Sequence, residues 1–162
     1  SHLLASPCTR VLIYGDPGVG KDTVAAEVTH TDNVQQLGGV KAWLQASSDF
    51  VFRRQLIDVF LTHRPWVVRG FETDVLACMK KIFIFLHESG GEEWLFVIED
   101  MSSESTTAIN LIAETKGVGR VLVTSQAPLY EFDPSWSSIK LEPFTTDDSV
   151  DLLRCMNLFS KK

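Results

Sequence analysis

A glycine-rich segment between an apolar run and a helical pattern constrains the fold of this chain more than any other feature. The segment reads Gly15, Asp16, Pro17, Gly18, Val19, Gly20 and Lys21. The apolar run before it, residues 11–14, has the length and composition of a buried strand. After it, Val24, Ala25 and Val28 recur on one face of a helix that begins at Lys21. A strand, a glycine-rich turn and a helix in this order form the context of a phosphate-binding loop.

The residue types of this segment suit the binding of phosphate groups. Glycine lets the backbone curl so that several N–H groups point at one anion, and the helix N-terminus adds a partial positive charge. Lys21 supplies a full positive charge near the outer phosphates. A glycine-rich turn with only a structural role would not require the lysine. We therefore expect the segment to hold the phosphates of ATP or ADP.

One position departs from the usual motif. The residue after the lysine is normally Ser or Thr, whose hydroxyl binds Mg²⁺, whereas here it is Asp22, followed by Thr23. Either Thr23 takes over the hydroxyl role, as in nucleotide kinases with a Gly-Lys-Gly-Thr loop, or Asp22 contacts the metal directly or through water. A carboxylate at this position repels a triphosphate when no metal is present. We therefore expect nucleotide binding to depend strongly on Mg²⁺.

A second acidic motif follows a later apolar run. Residues 94–98 read as a buried strand, and Glu99 and Asp100 follow them directly. A parallel strand would place both carboxylates at the carboxyl edge of the sheet, beside the phosphate loop. In such a pair one carboxylate orients Mg²⁺, usually through water, and the other polarises an attacking water. We assign the metal role to Glu99 and the water to Asp100, and we treat both as candidate catalytic residues.

Short apolar runs alternate with longer helical patterns along the chain. The predicted strands cover residues 11–14, 40–44, 94–98, 120–124 and 138–141. The predicted helices begin at residue 21 and at residues 48–49, cover residues 75–86 and 108–114, and end with one from residue 145 through 156. This alternation predicts an α/β, three-layer P-loop NTPase fold with a mainly parallel five-stranded sheet. We expect residues 1–162 to form a single nucleotide-binding domain, a fragment of a larger multidomain protein.

Charge and cysteine content argue against several classes of protein. The formal net charge is −6, and no run of Lys/Arg is longer than two residues, the terminal Lys161-Lys162 included, so we expect no nucleic-acid partner. The longest apolar runs, residues 82–86 and 95–98, are too short to span a membrane, so we expect no membrane partner. The three cysteines lie far apart without metal-ligand spacing, which favours a reducing compartment and a cytoplasmic protein.

Several sequence blocks together resemble one family of nucleotide-binding proteins. They cover residues 14–25, 41–46, 94–100, 119–126 and 139–144. The first block is general to P-loop proteins, whereas the block around Trp43 and the block with Thr124 and Ser125 point to this family. Through these blocks the chain resembles the NB-ARC group of STAND signalling NTPases, from residue 11 to about residue 153.

The resemblance implies an arrangement of strands and a sensor for the terminal phosphate. Strand 120–124 would separate the phosphate-loop strand from the acidic strand, and Thr124 and Ser125 would lie near the γ-phosphate. The family usually has Arg two residues after the Thr, but here Gln126 stands there, and its side chain carries no charge. A transition-state arginine in other P-loop enzymes accelerates hydrolysis by about 10³–10⁵. This departure therefore predicts weak or no hydrolysis by the isolated chain.

These features together predict the ATP- and ADP-binding core of a STAND-type signalling NTPase that acts as a nucleotide-dependent switch. The resemblance implies an active, oligomer-competent state with ATP and a closed resting state with ADP. Its partners would be the flanking domains and further copies of the full-length protein. Two alternatives stay open. The Gly-Lys-Asp-Thr sequence of residues 20–23 suggests a small P-loop kinase, and the departures at Asp22, Glu99 and Gln126 suggest a non-hydrolysing binding module.

Overall fold

A five-stranded parallel sheet forms the centre of the molecule. The computed structural model describes residues 10–30, 39–88, 94–115, 119–129 and 136–148. The strands are β1 (Arg10–Tyr14), β2 (Lys41–Gln45), β3 (Leu95–Glu99), β4 (Arg120–Ser125) and β5 (Ser137–Lys140). They lie in the order β2-β3-β4-β1-β5, and every neighbouring pair is parallel. All five predicted strands are confirmed, each with bounds shifted by no more than one residue.

Helices cover both faces of this sheet. They are α1 (Lys21–Thr29), α2 (Asp49–His63), α3 (Pro65–Val68), α4 (Val75–Glu88) and α5 (Thr106–Glu114). Side chains of α2, α4 and α5 share one buried cluster with alternate residues of the strands, and side chains of α1 share a second cluster with the intervening residues. This arrangement confirms the three-layer architecture. Among the helices in the described residues, none has both the length and the apolar character needed to cross a membrane.

The central strands are apolar over their middle residues because both of their faces are covered. Successive residues of β3 belong to opposite clusters: Phe96 packs with α2, α4 and α5, and Val97 packs with α1. The edge strand β2 differs, since its residues alternate between buried and more exposed positions and Trp43 is 41% exposed. The uniform apolar runs that predicted β1, β3 and β4 therefore reflect their central position.

Local signals account for the helix ends. Ser48 is the N-cap of α2 and its hydroxyl accepts a hydrogen bond from Val51 N at 3.4 Å, as the predicted helix start implied. Near the end of the described chain, Thr145 and Asp148 form both hydrogen bonds of a capping box, each 3.1 Å long. The rest of the predicted helix through residue 156 lies outside the described residues. The four-residue helix α3 was not predicted, because it is too short to show a helical period.

The strand order places three strand ends side by side. Because β4 lies between β1 and β3, the loops that follow these strands meet at one edge of the sheet. Backbone hydrogen bonds hold them there: Gly15 N donates to Ser125 O at 3.2 Å, and Met101 N donates to Thr124 O at 2.9 Å. The separation of the loop strand from the acidic strand by β4, implied by the family resemblance, is thereby confirmed.

Candidate phosphate-binding site

The loop between β1 and α1 has a backbone that only glycine adopts readily. Gly18 has φ of 78° and Gly20 has φ of 98°, both in the left-handed region. Gly20 is the N-cap of α1, with no side chain capping the helix. The first helical hydrogen bond runs from Val24 N to Gly20 O at 3.0 Å. The N–H groups of residues 21–23 therefore lie before the first intrahelical bond, where they are available to an anion.

Lys21 lies inside the curl of the loop. Its side chain is largely buried, and its Nζ donates hydrogen bonds to Gly15 O and Asp16 O, both at 2.9 Å. These carbonyls hold the ammonium against the loop, where its charge adds to that of the helix N-terminus. The one cationic side chain in residues 15–23 is thus positioned by the backbone that carries the N–H groups.

Gly15 is needed for a different reason, the close approach of another strand. A Cβ built on Gly15 would overlap the carbonyl oxygen of Leu141, which follows β5. Leu141 N in turn donates to Tyr14 O at 2.8 Å, so the end of β5 is fixed against the start of the loop. The absence of a side chain at Gly15 therefore lets the end of β5 pack directly against the start of the phosphate loop.

Three carboxylates converge at the carboxyl edge of β3. Burial raises the pKa of Glu99, and the negative charges of Asp22 and Asp100 raise that pKa further. Asp100 itself has φ of 54°, a left-handed conformation that is uncommon for a residue other than glycine. The structure thus brings the two predicted acidic residues next to Asp22, as the predicted magnesium site requires.

The donor chemistry of this group fits Mg²⁺. Magnesium prefers oxygen ligands, and beside a nucleotide it commonly takes one or two carboxylates, phosphate oxygens and water. In the described part of the chain, no three His, Cys, Asp or Glu side chains form a metal cage of their own. A nucleotide-linked ion does not need such a cage. Thr23, the alternative hydroxyl ligand, is exposed in the first turn of α1.

Gln45 is a site residue that the sequence interpretation missed. At the end of β2 its Nε2 donates to Glu99 Oε2 at 2.6 Å, and its backbone N donates to Gln55 Oε1 of α2 at 2.7 Å. One oxygen of the Glu99 carboxylate is therefore held, which orients the other. The pairing follows from register, because Gln45 and Glu99 are direct partners across β2 and β3. The available sequence signal was a polar residue, Gln45, at the end of the strand that neighbours the acidic strand.

The predicted sensor residues of β4 have different environments. Thr124 is fully buried; its Oγ1 donates to Asp22 Oδ1 at 3.3 Å and accepts a hydrogen bond from Asp100 N at 3.2 Å. Ser125 is also buried, and its hydroxyl donates to Ala127 O at 2.8 Å, back toward its own loop. Gln126 is exposed. The structure therefore joins Thr124, but not the other two side chains, to the acidic group by direct hydrogen bonds among the described residues.

A pocket lies between the loops that follow β3 and β4. It has a volume of about 430 Å³. Its lining residues are Asp100, Met101, Ser102, Ser103, Ser125, Gln126, Ala127, Pro128 and Leu129. Ser105 stabilises the first of these loops, since its Oγ donates to Ala46 O at 2.7 Å. The pocket extends the carboxyl edge beyond Asp100. The exposed Asp16, Pro17 and Gly18 form the outer side of the phosphate loop.

Solved structures with a similar fold include the following two. One is a Signal Transduction ATPase with Numerous Domains (STAND) protein with a tetratricopeptide repeat sensor from Pyrococcus horikoshii, with 18% identity and a TM-score of 0.58. The match covers 94% of this chain and 24% of that one. The other is the Orc1 protein of Aeropyrum pernix in complex with DNA, with 13% identity, a TM-score of 0.58 and coverage of 91% and 43%.

These two structural matches are evidence about the fold alone. The chain spans about a quarter of the first structure and less than half of the second. No protein-family model matches the chain. No curated protein matches its sequence. The parallel sheet, its order and the two structural matches together confirm an α/β fold of the P-loop NTPase kind.

Proposed function

We propose that this chain is the ATP- and ADP-binding core of a STAND-type, NB-ARC-like signalling NTPase, which acts as a nucleotide-dependent switch. The observation that carries the proposal is the loop of residues 15–21, with Lys21 held inside it and α1 beginning directly behind. The printed description of the Pyrococcus structure as a STAND protein supports the choice of this family.

Magnesium completes the proposed site. Asp22, Glu99 and Thr23 are the residues that would hold it, with Gln45 orienting Glu99. The ion would neutralise phosphate charge and so offset the negative potential of the carboxylates. Asp100 is the residue proposed to orient an attacking water. In this scheme the end of β4, with Thr124, Ser125 and Gln126, lies near the terminal phosphate.

Slow turnover is part of the proposal. Gln126 donates hydrogen bonds but lacks the positive charge that would meet the charge developing on the γ-phosphate. A site that holds ATP without rapid hydrolysis suits a switch, whose two states persist for as long as each nucleotide stays bound. The proposed partners are the flanking domains of the full-length protein and further copies of it. The net charge of −6 argues against nucleic acid as a partner, although the Orc1 structure is a complex with DNA.

We expect ATP or ADP together with Mg²⁺ to stabilise the chain against heat. At a concentration one hundred times the dissociation constant, binding adds about 2.7 kcal/mol. For a domain of this size, that corresponds to a rise in Tm of roughly 5–11 °C. The measurement is a melting curve with millimolar nucleotide, with and without Mg²⁺. A control with EDTA should lose most of the shift, because Asp22, Glu99 and Asp100 then repel the phosphates. An unchanged Tm with nucleotide and Mg²⁺ would count against the proposal.

The kinase alternative keeps one observation in its favour, the Gly-Lys-Asp-Thr sequence of residues 20–23. Hydrolysis and phosphoryl transfer are separated by an ADP-release assay with and without a panel of nucleoside monophosphates. We expect turnover far below the usual enzyme range of about 1–10³ per second in both conditions. Rapid ADP release only when an acceptor is added would identify a kinase. Rapid ADP release without an acceptor would refute the role given to Gln126. Nucleotide binding without any ADP release would favour the non-hydrolysing binding module.

A further inference from the structure

The residue that departs from the loop motif contacts the predicted phosphate sensor. Asp22 begins α1, whereas Thr124 lies near the end of β4, and Thr124 Oγ1 donates to Asp22 Oδ1 at 3.3 Å. The same oxygen accepts from Asp100 N at 3.2 Å. Thr124 is fully buried, so its hydroxyl has these two partners instead of bulk water. The contact joins two elements that are 102 residues apart in sequence.

A threonine hydroxyl has a single proton to donate. While that proton is donated to Asp22, Thr124 cannot donate it to a phosphate oxygen. The oxygen also accepts from Asp100 N, and a deprotonated phosphate oxygen has no proton to donate to the remaining lone pair. A terminal phosphate approaching Thr124 must therefore break the contact with Asp22 before it gains the hydrogen bond. A nucleotide without that phosphate leaves the contact intact.

The negative charges near Thr124 also disfavour a terminal phosphate. The Asp22 carboxylate accepts the hydrogen bond of the Thr124 hydroxyl, and the negative charges of Asp22 and Asp100 both raise the pKa of Glu99. A third phosphate adds negative charge at this end of the site, so the carboxylates oppose a triphosphate more than a diphosphate. The serine or threonine usual at the position of Asp22 would add no such charge.

We propose that Asp22 withholds the Thr124 hydroxyl from the terminal phosphate, and that this contact makes the site favour a nucleoside diphosphate over the triphosphate. The inference rests on the proposed nucleotide site and assigns to Asp22 the control of which nucleotide is held. Asp22 is thus a specificity-determining residue, and Thr124 is the group it acts through.

The test compares two substitutions at the exposed position 22. Asp22→Asn removes the charge but keeps an oxygen that accepts the Thr124 proton, whereas Asp22→Ala removes both. Both variants lose the negative charge, but the asparagine oxygen can still ligate the metal, so a Thr124 variant is needed to isolate the hydrogen bond. The dissociation constants of ADP and ATP are measured by calorimetry for the 162-residue chain at saturating Mg²⁺. The ratio of the ADP constant to the ATP constant should rise in Asp22→Asn and be about fivefold higher again in Asp22→Ala.

Thr124 supplies the matched control. In a Thr124→Val background the two Asp22 variants should give the same ratio of the ADP constant to the ATP constant, since residue 124 then has no hydroxyl to donate to the phosphate. Because Thr124 is buried and receives the Asp100 N–H, the melting of this variant is measured first. If it does not fold, Thr124→Ser replaces it; serine keeps the proton, so the difference between the Asp22 variants must persist.

The outcomes separate this inference from the proposed function. Equal ratios in Asp22→Asn and Asp22→Ala, with ADP still bound, would overturn the role of the Thr124 contact and leave the nucleotide site standing. A fivefold difference that survives Thr124→Val would also overturn it, because the effect would not pass through the hydroxyl. Failure of every chain, the unsubstituted one included, to bind either nucleotide would refute both.

Discussion

Lys21→Ala should abolish the stabilisation of the chain by magnesium and nucleotide. The ammonium is the one full positive charge in residues 15–23, and the loop carbonyls of Gly15 and Asp16 hold it in place. Without it, the loop has no charged side chain to contact the phosphates, and only magnesium offsets the three nearby carboxylates. The shift of roughly 5–11 °C expected for the unsubstituted chain should fall to near zero under the same conditions.

The unliganded Lys21→Ala chain should remain folded. Its free energy of unfolding should fall by about 1–3 kcal/mol, because the buried carbonyl of Gly15 and the exposed carbonyl of Asp16 each lose a hydrogen bond from Lys21 Nζ. Lys80→Ala, on an exposed position of α4, is the matched control and should leave the nucleotide shift unchanged. A Lys21→Ala chain with an undiminished shift would show that the loop does not hold the phosphates. A chain that unfolds would mean that Lys21 is chiefly structural.

Gly119→Ala should have the largest effect on the stability of the unliganded fold. Gly119 precedes β4 with φ of 65°, and a Cβ there would overlap the ring of Trp94. That ring is 1% exposed and packs against Phe96 with centroids 4.6 Å apart, so it has little room to move. The left-handed backbone costs about 1–2 kcal/mol and the overlap about 1–3 kcal/mol more. We expect the loss of about 3 kcal/mol to lower Tm by roughly 6–12 °C.

Gly70→Ala separates the two contributions. Gly70 also has positive φ, 85°, but a Cβ built there meets nothing within 4 Å. It should cost only the backbone strain, about 1–2 kcal/mol. The two variants are compared by urea unfolding at equal protein concentration. Equal losses in both would contradict the packing of Trp94 against the Gly119 backbone.

The sheet was predictable because its central strands carry an unmistakable pattern. Residues 94–98 and 121–123 are apolar on both faces, which is the pattern of a parallel strand covered on both sides, and the glycine-rich loop identifies the end of β1. The strand order did not follow from these patterns. The family resemblance implied only that β4 lies between β1 and β3, which is confirmed by the pairing of β4 with both strands.

The side-chain contacts within the site could not be predicted from the sequence. The Thr124–Asp22 hydrogen bond depends on how α1 leaves the loop, and no local pattern in either segment encodes it. The Gln45–Glu99 pair depends on the register of β2 against β3, which becomes known only when the strands are aligned. The small helix α3 depends on packing against α2 and α4. The sequence motifs predicted that Asp22, Glu99 and Thr124 lie at the carboxyl edge, but neither Gln45 nor the atoms that are paired there.

The central claim is that residues 15–21 bind nucleotide phosphates with magnesium. Its most direct test is a calorimetric titration of the 162-residue chain with ADP in the presence of Mg²⁺, repeated with Lys21→Ala. We expect saturable binding with one nucleotide per chain, lost in the variant and strongly weakened by EDTA. No heat of binding at millimolar ADP and Mg²⁺ in a folded chain, or equal binding by Lys21→Ala, would contradict the claim.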